Sequence, residues 1–366
     1  MDGEAIGVVR PDALRAFCVR VFEKLNVPTG EAIITADVLL AANLRGIDSH
    51  GVARLRRYVK GVQDGVMLAQ PEEKVVSQAA TTALIDAGAG LGQPVSYRAM
   101  KLAIEKADRY GTGFVTVRNS NHYGIAGFYA MMALEHDMIG ISMTNAAPLV
   151  LPTFGRDAIM GTNPIALAAP AGEERPFVLD MATSTVPRGK LEVYSRQEKP
   201  LPLGWATDET GTPTTDAARV LDNMLACRGG GLLPLGGAGE EFSGHKGYGL
   251  ALMVDILCGV LPGAGYADAI YPETAEGKPL PADVGHFFGA IKISAFRPLD
   301  EFKATMDDII HRLKTAPKAK GATRIYIHGE KEHEEAERRA AGISLGSKVE
   351  ADLKALAQEL GVEYDL

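Results

Sequence analysis

Across residues 81–180, short apolar runs alternate with helical stretches, and no Gly-x-Gly-x-x-Gly follows any of them. The alternation calls for a sheet with helices packed on it, an α/β or α+β core. The missing glycine fingerprint removes the commonest way in which such a core cradles a dinucleotide. Residues 81–86, 113–118 and 139–145 read as strands, and shorter ones are expected within 158–170 and 176–180. Helices are expected over 94–110 and 126–137. Further on, a Gly/Pro-rich loop (228–247) feeds an apolar helix (248–261), and residues from His286 onward read as another strand.

The two ends have a different texture. Leu14, Phe17, Val21 and Leu25 share one helical face, and a second helical run covers 31–44. The turn between them offers Thr29 as an N-cap. A third helical stretch is expected over 45–58. From about Leu299 the chain reads as charged amphipathic helix, with a solvated face of alternating sign at 331–339. The expected division is therefore a helical part (1–73), a sheet-containing part (74–298) and a C-terminal helical part (299–366) that packs with the first.

Composition excludes several classes. A formal net charge of −8 argues against a general nucleic-acid binder, which needs clustered Lys and Arg. Cys18, Cys227 and Cys258 are scattered and odd in number, so neither a disulfide framework nor a cysteine zinc site is expected. A reducing cytoplasm is the expected compartment. The first residues lack a signal-peptide core, and residues 250–261 are too short, and interrupted by Asp255, to span a bilayer. The histidines show no metal-ligand spacing.

Three clusters can carry chemistry. His50, Arg54 and Tyr58 are spaced i, i+4, i+8, which on a helix is one stripe. A histidine that takes a proton beside an arginine that grips a carboxylate is what oxidation of a 2-hydroxy acid requires. The plainer alternative is a surface helix with a capping histidine behind Asp48 and Ser49. Asn119-Ser-Asn-His-Tyr-Gly follows an apolar strand, where α/β proteins place sites, so His122 is a second candidate base. It also reads as an Asn/Gly turn. Ser243-Gly-His-Lys-Gly-Tyr-Gly precedes a helix, a place for an anion, or is a flexible loop.

These motifs resemble those of the type-2 malate/L-lactate dehydrogenase family, which includes ureidoglycolate dehydrogenase, diketogulonate reductase, sulfolactate dehydrogenase and cyclic ketimine reductases. The resemblance rests on Arg45-Gly-Ile-Asp-Ser-His-Gly, Asn119-Ser-Asn-His-Tyr-Gly, Gly161-Thr-Asn-Pro, Val178-Leu-Asp-Met-Ala-Thr-Ser, Gly244-His-Lys-Gly-Tyr-Gly-Leu and Val284-Gly-His-Phe-Phe, in family order.

The resemblance implies a non-Rossmann fold, with a sheet-based cofactor domain, a helical domain and a homodimer. It implies a small 2-hydroxy or 2-oxo acid substrate and NAD or NADP. His50 and His122 match the two acid/base candidates, Arg54 the carboxylate-binding position, and Tyr58 lies beside it. Ser120, Asp180, Met181, Ala182, Thr183, Ser184, Thr185, His245, Lys246, Gly329 and Glu330 match cofactor-contacting segments. A segment that usually reads Pro-Gly-Glu is His328-Gly329-Glu330 here. Pro187 stands where a small residue is usual, which implies a local backbone change. Arg188 or Lys190 could meet the 2′-phosphate of NADP. Within the family, reduction of a cyclic imino acid is the alternative activity. A cofactor-binding relative without catalysis is the alternative outside enzymes.

Overall fold

The computed structural model describes residues 7–366. The reading of the first residues as lacking a signal-peptide core bears partly on 1–6, outside the described residues. The chain opens with β1 (Gly7–Val9), α1 (Pro11–Lys24), α2 (Thr29–Leu44) and α3 (Leu55–Gln63). Leu14, Phe17, Val21 and Phe22 of α1 bury fully against Ala32, Ala36 and Leu39 of α2. Thr29 does not cap α2. Pro28 holds that position, and the Thr29 hydroxyl donates to Glu23 Oε1 at 2.6 Å.

The middle of the chain supplies β2 (Lys74–Gln78), β3 (Thr82–Asp86), α4 (Gly92–Tyr110), β4 (Thr112–Ser120), α5 (Ala126–Met132), β5 (Met138–Thr144), β6 (Ile165–Ala169) and β7 (Phe177–Met181). Then come α6 (Arg188–Arg196), β8 (Ala206–Thr207), α7 (Ala217–Leu225), β9 (Gly231–Leu232), α8 (Gly244–Asp255) and β10 (Val284–Lys292). The chain ends with α9 (Leu299–Thr315), α10 (Glu330–Arg339), β11 (Ile343–Leu345) and α11 (Ser347–Leu360).

One sheet organises the molecule, in the order β2-β3-β4-β10-β5-β6-β7. Only β3 and β4 run parallel; the other neighbours are antiparallel. The sheet is therefore mixed, unlike the parallel sheet of a doubly wound nucleotide fold. Helices α4 and α5 cover one face with alanines and Tyr129. They lie close because the strands present glycine beneath them. A Cβ at Gly113 would sit 2.1 Å from the Ala103 carbonyl oxygen, and one at Gly140 would sit 2.1 Å from that of Ala130.

The N-terminal helices form a separate apolar core, which β11 and α11 join. Helix α10 touches α2, where Arg339 donates to the Asn43 carbonyl at 2.7 Å. Helices α9 and α10 also reach the sheet-containing part: Lys303 pairs with Asp137, Lys314 with Glu174, and Arg175 with Glu337. A third core, built around Leu191, Val220 and Leu232, unites α6, α7, β8 and β9. Sequence patterning assigns none of these four elements, nor the exposed edge strand β2.

Among the described residues, no helix is long and apolar enough to cross a membrane. No group of three or more His, Cys, Asp or Glu among them is arranged to hold a metal ion.

Candidate active site

The register of three central strands brings Ser120, Thr144 and His286 to one end of the sheet. Ser120 closes β4, Thr144 closes β5, and β10 enters between them. His286 bridges its neighbours, with Nε2 2.8 Å from Ser120 Oγ and Nδ1 2.7 Å from Thr144 Oγ1. Its ring stacks on Tyr123 at 4.6 Å, and burial holds its pKa down to about 3. This histidine is a neutral structural pin under the site. The Val284-Gly-His-Phe-Phe motif contains it, yet sequence reasoning gives it no role.

The Asn119-Ser-Asn-His-Tyr-Gly segment is consumed residue by residue, and one side chain turns toward a cleft. The Asn119 backbone amide donates to the Asp283 carboxylate at 2.7 Å, and the Asn119 Nδ2 donates to Asp86 at 3.0 Å. Asn121 is buried and donates to the Ala89 and Gly90 carbonyls. Tyr123 bonds Ser142. What remains is His122, half-buried at the mouth of a cleft.

The 45–58 stretch is not the single helix its spacing suggests. It makes two short 3₁₀ turns (Asp48–His50 and Val52–Arg54) before α3 begins. Asn43, buried at the end of α2, causes the break. Its Oδ1 accepts from the Val52 amide at 2.8 Å, and its Nδ2 donates to Asp48 at 2.7 Å. Gly51 fits only because it has no side chain, since a Cβ there would stand 2.2 Å from Asn43 Oδ1. Asp48 caps nothing; it pairs with Arg339.

The three residues converge despite the broken helix. The rings of His50 and His122 stack with centroids 5.6 Å apart and planes 24° apart. Tyr58, fully buried, places its hydroxyl 2.7 Å from His122 Nδ1, and the Gly124 amide donates to the same nitrogen at 3.3 Å. Ser49 Oγ lies 2.9 Å from His50 Nδ1. Arg54 donates through Nε to the Ser49 carbonyl at 2.7 Å, and the rest of its guanidinium stays available.

Both histidines are driven toward the neutral form. Burial, then Arg54 and Arg57, push His50 down to about 4. Burial is also the leading cause for His122, followed by Arg57, His50 and Arg54, and its pKa falls well below the usual histidine value.

The cleft they share has a volume of about 150 Å³ and also takes in Arg57, Thr144, Asn145, Thr162, Arg188 and Tyr271. Arg57 follows Arg54 closely in α3, so the charge run 54–57 could have flagged it. Tyr271, which accepts from Arg57 at 3.2 Å, sits on a remote loop with no local signal.

A second cleft, about 240 Å³, is walled by Arg45, Val178, Asp180, Tyr326, Gly329 and Lys331, among others. Gly329 is needed there: its φ is +94°, and a Cβ would meet Val178 Cβ at 2.8 Å. Asp180 accepts from the Gly127 amide at 2.7 Å, and burial lifts its pKa to about 6. Two cations, Arg45 and Lys331, and two carboxylates, Asp180 and Glu332, share this wall with Val178, Ile47 and Tyr326. The chain after β7 runs from this cleft at Asp180 to the histidine cleft at Pro187.

Several expected cofactor residues turn inward. Ser120 Oγ bonds His286 and is fully buried. Thr183, Ser184 and Thr185 donate their hydroxyls to protein carbonyls of Thr162 and Asn163, Val186, and Pro234 respectively. Glu330 is buried between Lys314 and Arg324 and accepts from the Ile327 amide, which holds it down at about 2. These segments offer a ligand their backbone, with Met181 half-buried at the strand end. His245 and Lys246 lie in the first turn of α8, which starts earlier than the sequence suggests, and they border neither cleft. Arg188 belongs to the histidine cleft, while Lys190 is exposed outside it.

Comparison with known proteins agrees along nearly the whole chain. The family model described as malate/L-lactate dehydrogenase matches residues 9–354. A malate dehydrogenase from Pyrococcus horikoshii is 51% identical over 97% of this chain and 96% of its own. An L-sulfolactate dehydrogenase from Methanocaldococcus jannaschii is 37% identical over 98% of both. The solved structure of malate dehydrogenase from Pyrococcus horikoshii OT3 superposes with a TM-score of 0.89 at 48% identity, covering 99% of this chain and 98% of that one.

Proposed function

This chain belongs to the malate/L-lactate dehydrogenase family, and from that premise we propose that it oxidises a small 2-hydroxy acid and reduces the matching 2-oxo acid with a nicotinamide cofactor. The observation that carries the reading is the pair of neutral histidines stacked in one cleft with Arg54.

Bound NAD or NADP would supply a hydride acceptor or donor. Arg45, Lys331, Gly329 and the backbone of Asp180–Thr185 would hold it, with the carboxylates of Asp180 and Glu332 facing its hydroxyl groups rather than its phosphates. The chain's own residues do the rest. Arg54 binds the substrate carboxylate through its free guanidinium edge, which fixes the carbon that reacts. His122 takes the hydroxyl proton at Nε2 in the neutral tautomer whose Nδ1–H donates to the Tyr58 hydroxyl; the Gly124 amide bonds Nδ1 only in the other tautomer. Tyr58 can donate to Nδ1 or accept from it, so the ring keeps its orientation in either protonation state. The depressed pKa keeps a base ready at neutral pH. In the reverse reaction the substrate's negative charge draws the proton back onto the ring.

The protein works as a homodimer in a reducing cytoplasm. Supporting the first is an exposed apolar row on and after α8, Leu252, Met253, Ile256 and Val260. Supporting the second are three unpaired cysteines. The test is nicotinamide absorbance with purified protein, NADH or NADPH, and a panel of 2-oxo acids plus a cyclic imine. Turnover of a 2-oxo acid is expected. Turnover of the imine alone, or none at all, would overturn the assignment.

A further inference from the structure

We propose that Arg188 binds a second acidic group on the substrate, so that the cleft selects dianionic 2-hydroxy and 2-oxo acids over monoanionic ones. The inference rests on the 2-hydroxy acid reading above and adds the part of the substrate that Arg54 does not reach.

The argument is one of unmatched charge. Arg54, Arg57 and Arg188 all border the histidine cleft, and no Asp or Glu does so among the described residues. Each of the first two is anchored within the protein, Arg54 on the Ser49 carbonyl and Arg57 on the Tyr271 hydroxyl. Arg188 is held at its Nε, which lies 3.2 Å from Glu192 Oε1 one turn along α6, and its two terminal nitrogens have no protein partner among the described residues. Glu192 does not border the cleft.

Arg188 also arrives from another part of the fold. Arg54 and Arg57 stand at the start of α3, whereas Arg188 opens α6 beyond β7, with Pro187 and Gly189 beside it in the cleft wall. A single carboxylate held by Arg54 leaves the terminal nitrogens of Arg188 without an anion in the cleft. A methyl tail would leave them so. A second carboxylate or a sulfonate meets them, and the terminal edge of a guanidinium suits either. Sites built to bond a polar group reject analogues that lack it far more strongly than apolar pockets reject a wrong size.

The test compares wild type with Arg188→Gln and Arg188→Lys, using the full chain, oxaloacetate as dianion and pyruvate as monoanion. Wild type should prefer oxaloacetate. Arg188→Gln should lower kcat/KM for oxaloacetate by about 10²-fold, mostly through KM, and leave pyruvate within about threefold. Arg188→Lys should recover part of the loss. An equal loss on both substrates, or a raised KM for NADPH alone, would overturn the proposal. Calorimetric binding of tartronate against glycolate decides the matter without turnover. If wild type binds both but reduces no 2-oxo acid, the enzyme reading fails and the Arg188 reading is still judged by whether Arg188→Gln weakens tartronate alone. Tartronate bound no more tightly than glycolate would sink it.

Discussion

The Tyr58 hydroxyl stands 2.7 Å from Nδ1 of His122, joining a fully buried tyrosine of the helical core to a histidine on the loop after β4. Two apolar cores that share no strand are thereby coupled at the reacting group. Tyr58→Phe keeps the ring's volume and removes only this bond. Losing one such bond corresponds to roughly tenfold in rate. The expected result is a kcat lowered about tenfold with KM little changed and the unfolding midpoint nearly unmoved. An unchanged kcat would show that the Tyr58 bond does not orient the histidine during turnover.

The two histidines should separate by role. His122→Asn removes the proton acceptor, and general acid/base help is worth about 10²- to 10⁴-fold. His50→Asn takes away the stacked neighbour, which after burial and Arg57 disfavours a charge on His122. We expect the first variant to lose turnover by that factor at every pH. The second should retain more activity, with the acid limb of kcat/KM shifted upward. Rates near wild type in both variants would refute the assignment of the site.

Asn43 and Gly51 act as one device. Gly51→Ala drives a Cβ to 2.2 Å from Asn43 Oδ1, and Asn43→Ala strands the buried Val52 amide. Each should lower stability by about 1–3 kcal/mol and displace His50. The double variant Asn43→Ala/Gly51→Ala relieves the clash, so its loss should be less than the sum of the two. Urea unfolding of the four proteins measures this coupling, and strict additivity would contradict it.

Much of the site is legible in the sequence because its residues sit in short segments. Local pattern alone picks out His50, Arg54, Tyr58 and His122; His50, Arg54 and His122 border one cleft, and Tyr58 is buried against His122. The spacing nevertheless misleads about the cause: 3₁₀ turns, not a helix, bring the stripe together, and Asn43, which imposes them, lies outside the motif. Side-chain direction is the larger failure. A hydroxyl after a strand gives no sign of whether it faces a ligand or a carbonyl, and Ser120, Thr183, Ser184 and Thr185 all face protein. The sheet's strands are found where they are apolar. Edge strand β2, exposed along its length, and the two-residue strands β8 and β9 carry too little periodicity to be read.

The buried histidines set how the protein responds to acid. His286 is held down to about 3 by burial, His50 to about 4, and His122 well below its usual value. In the unfolded chain each titrates near 6.5. Between about pH 6.5 and those folded values the unfolded state binds more protons, so stability falls as pH falls. Asp180 runs the other way. Lifted to about 6, it keeps a proton that the unfolded chain releases above about 3.9, which offsets roughly one histidine between pH 4 and 6. Three histidines against one aspartate leave a net loss of stability from pH 6.5 to 5. Urea unfolding at both values should show it, and His286→Gln should make the slope shallower by about one proton. Equal stability at the two values would show that the histidines take up protons in the folded protein and would overturn this account.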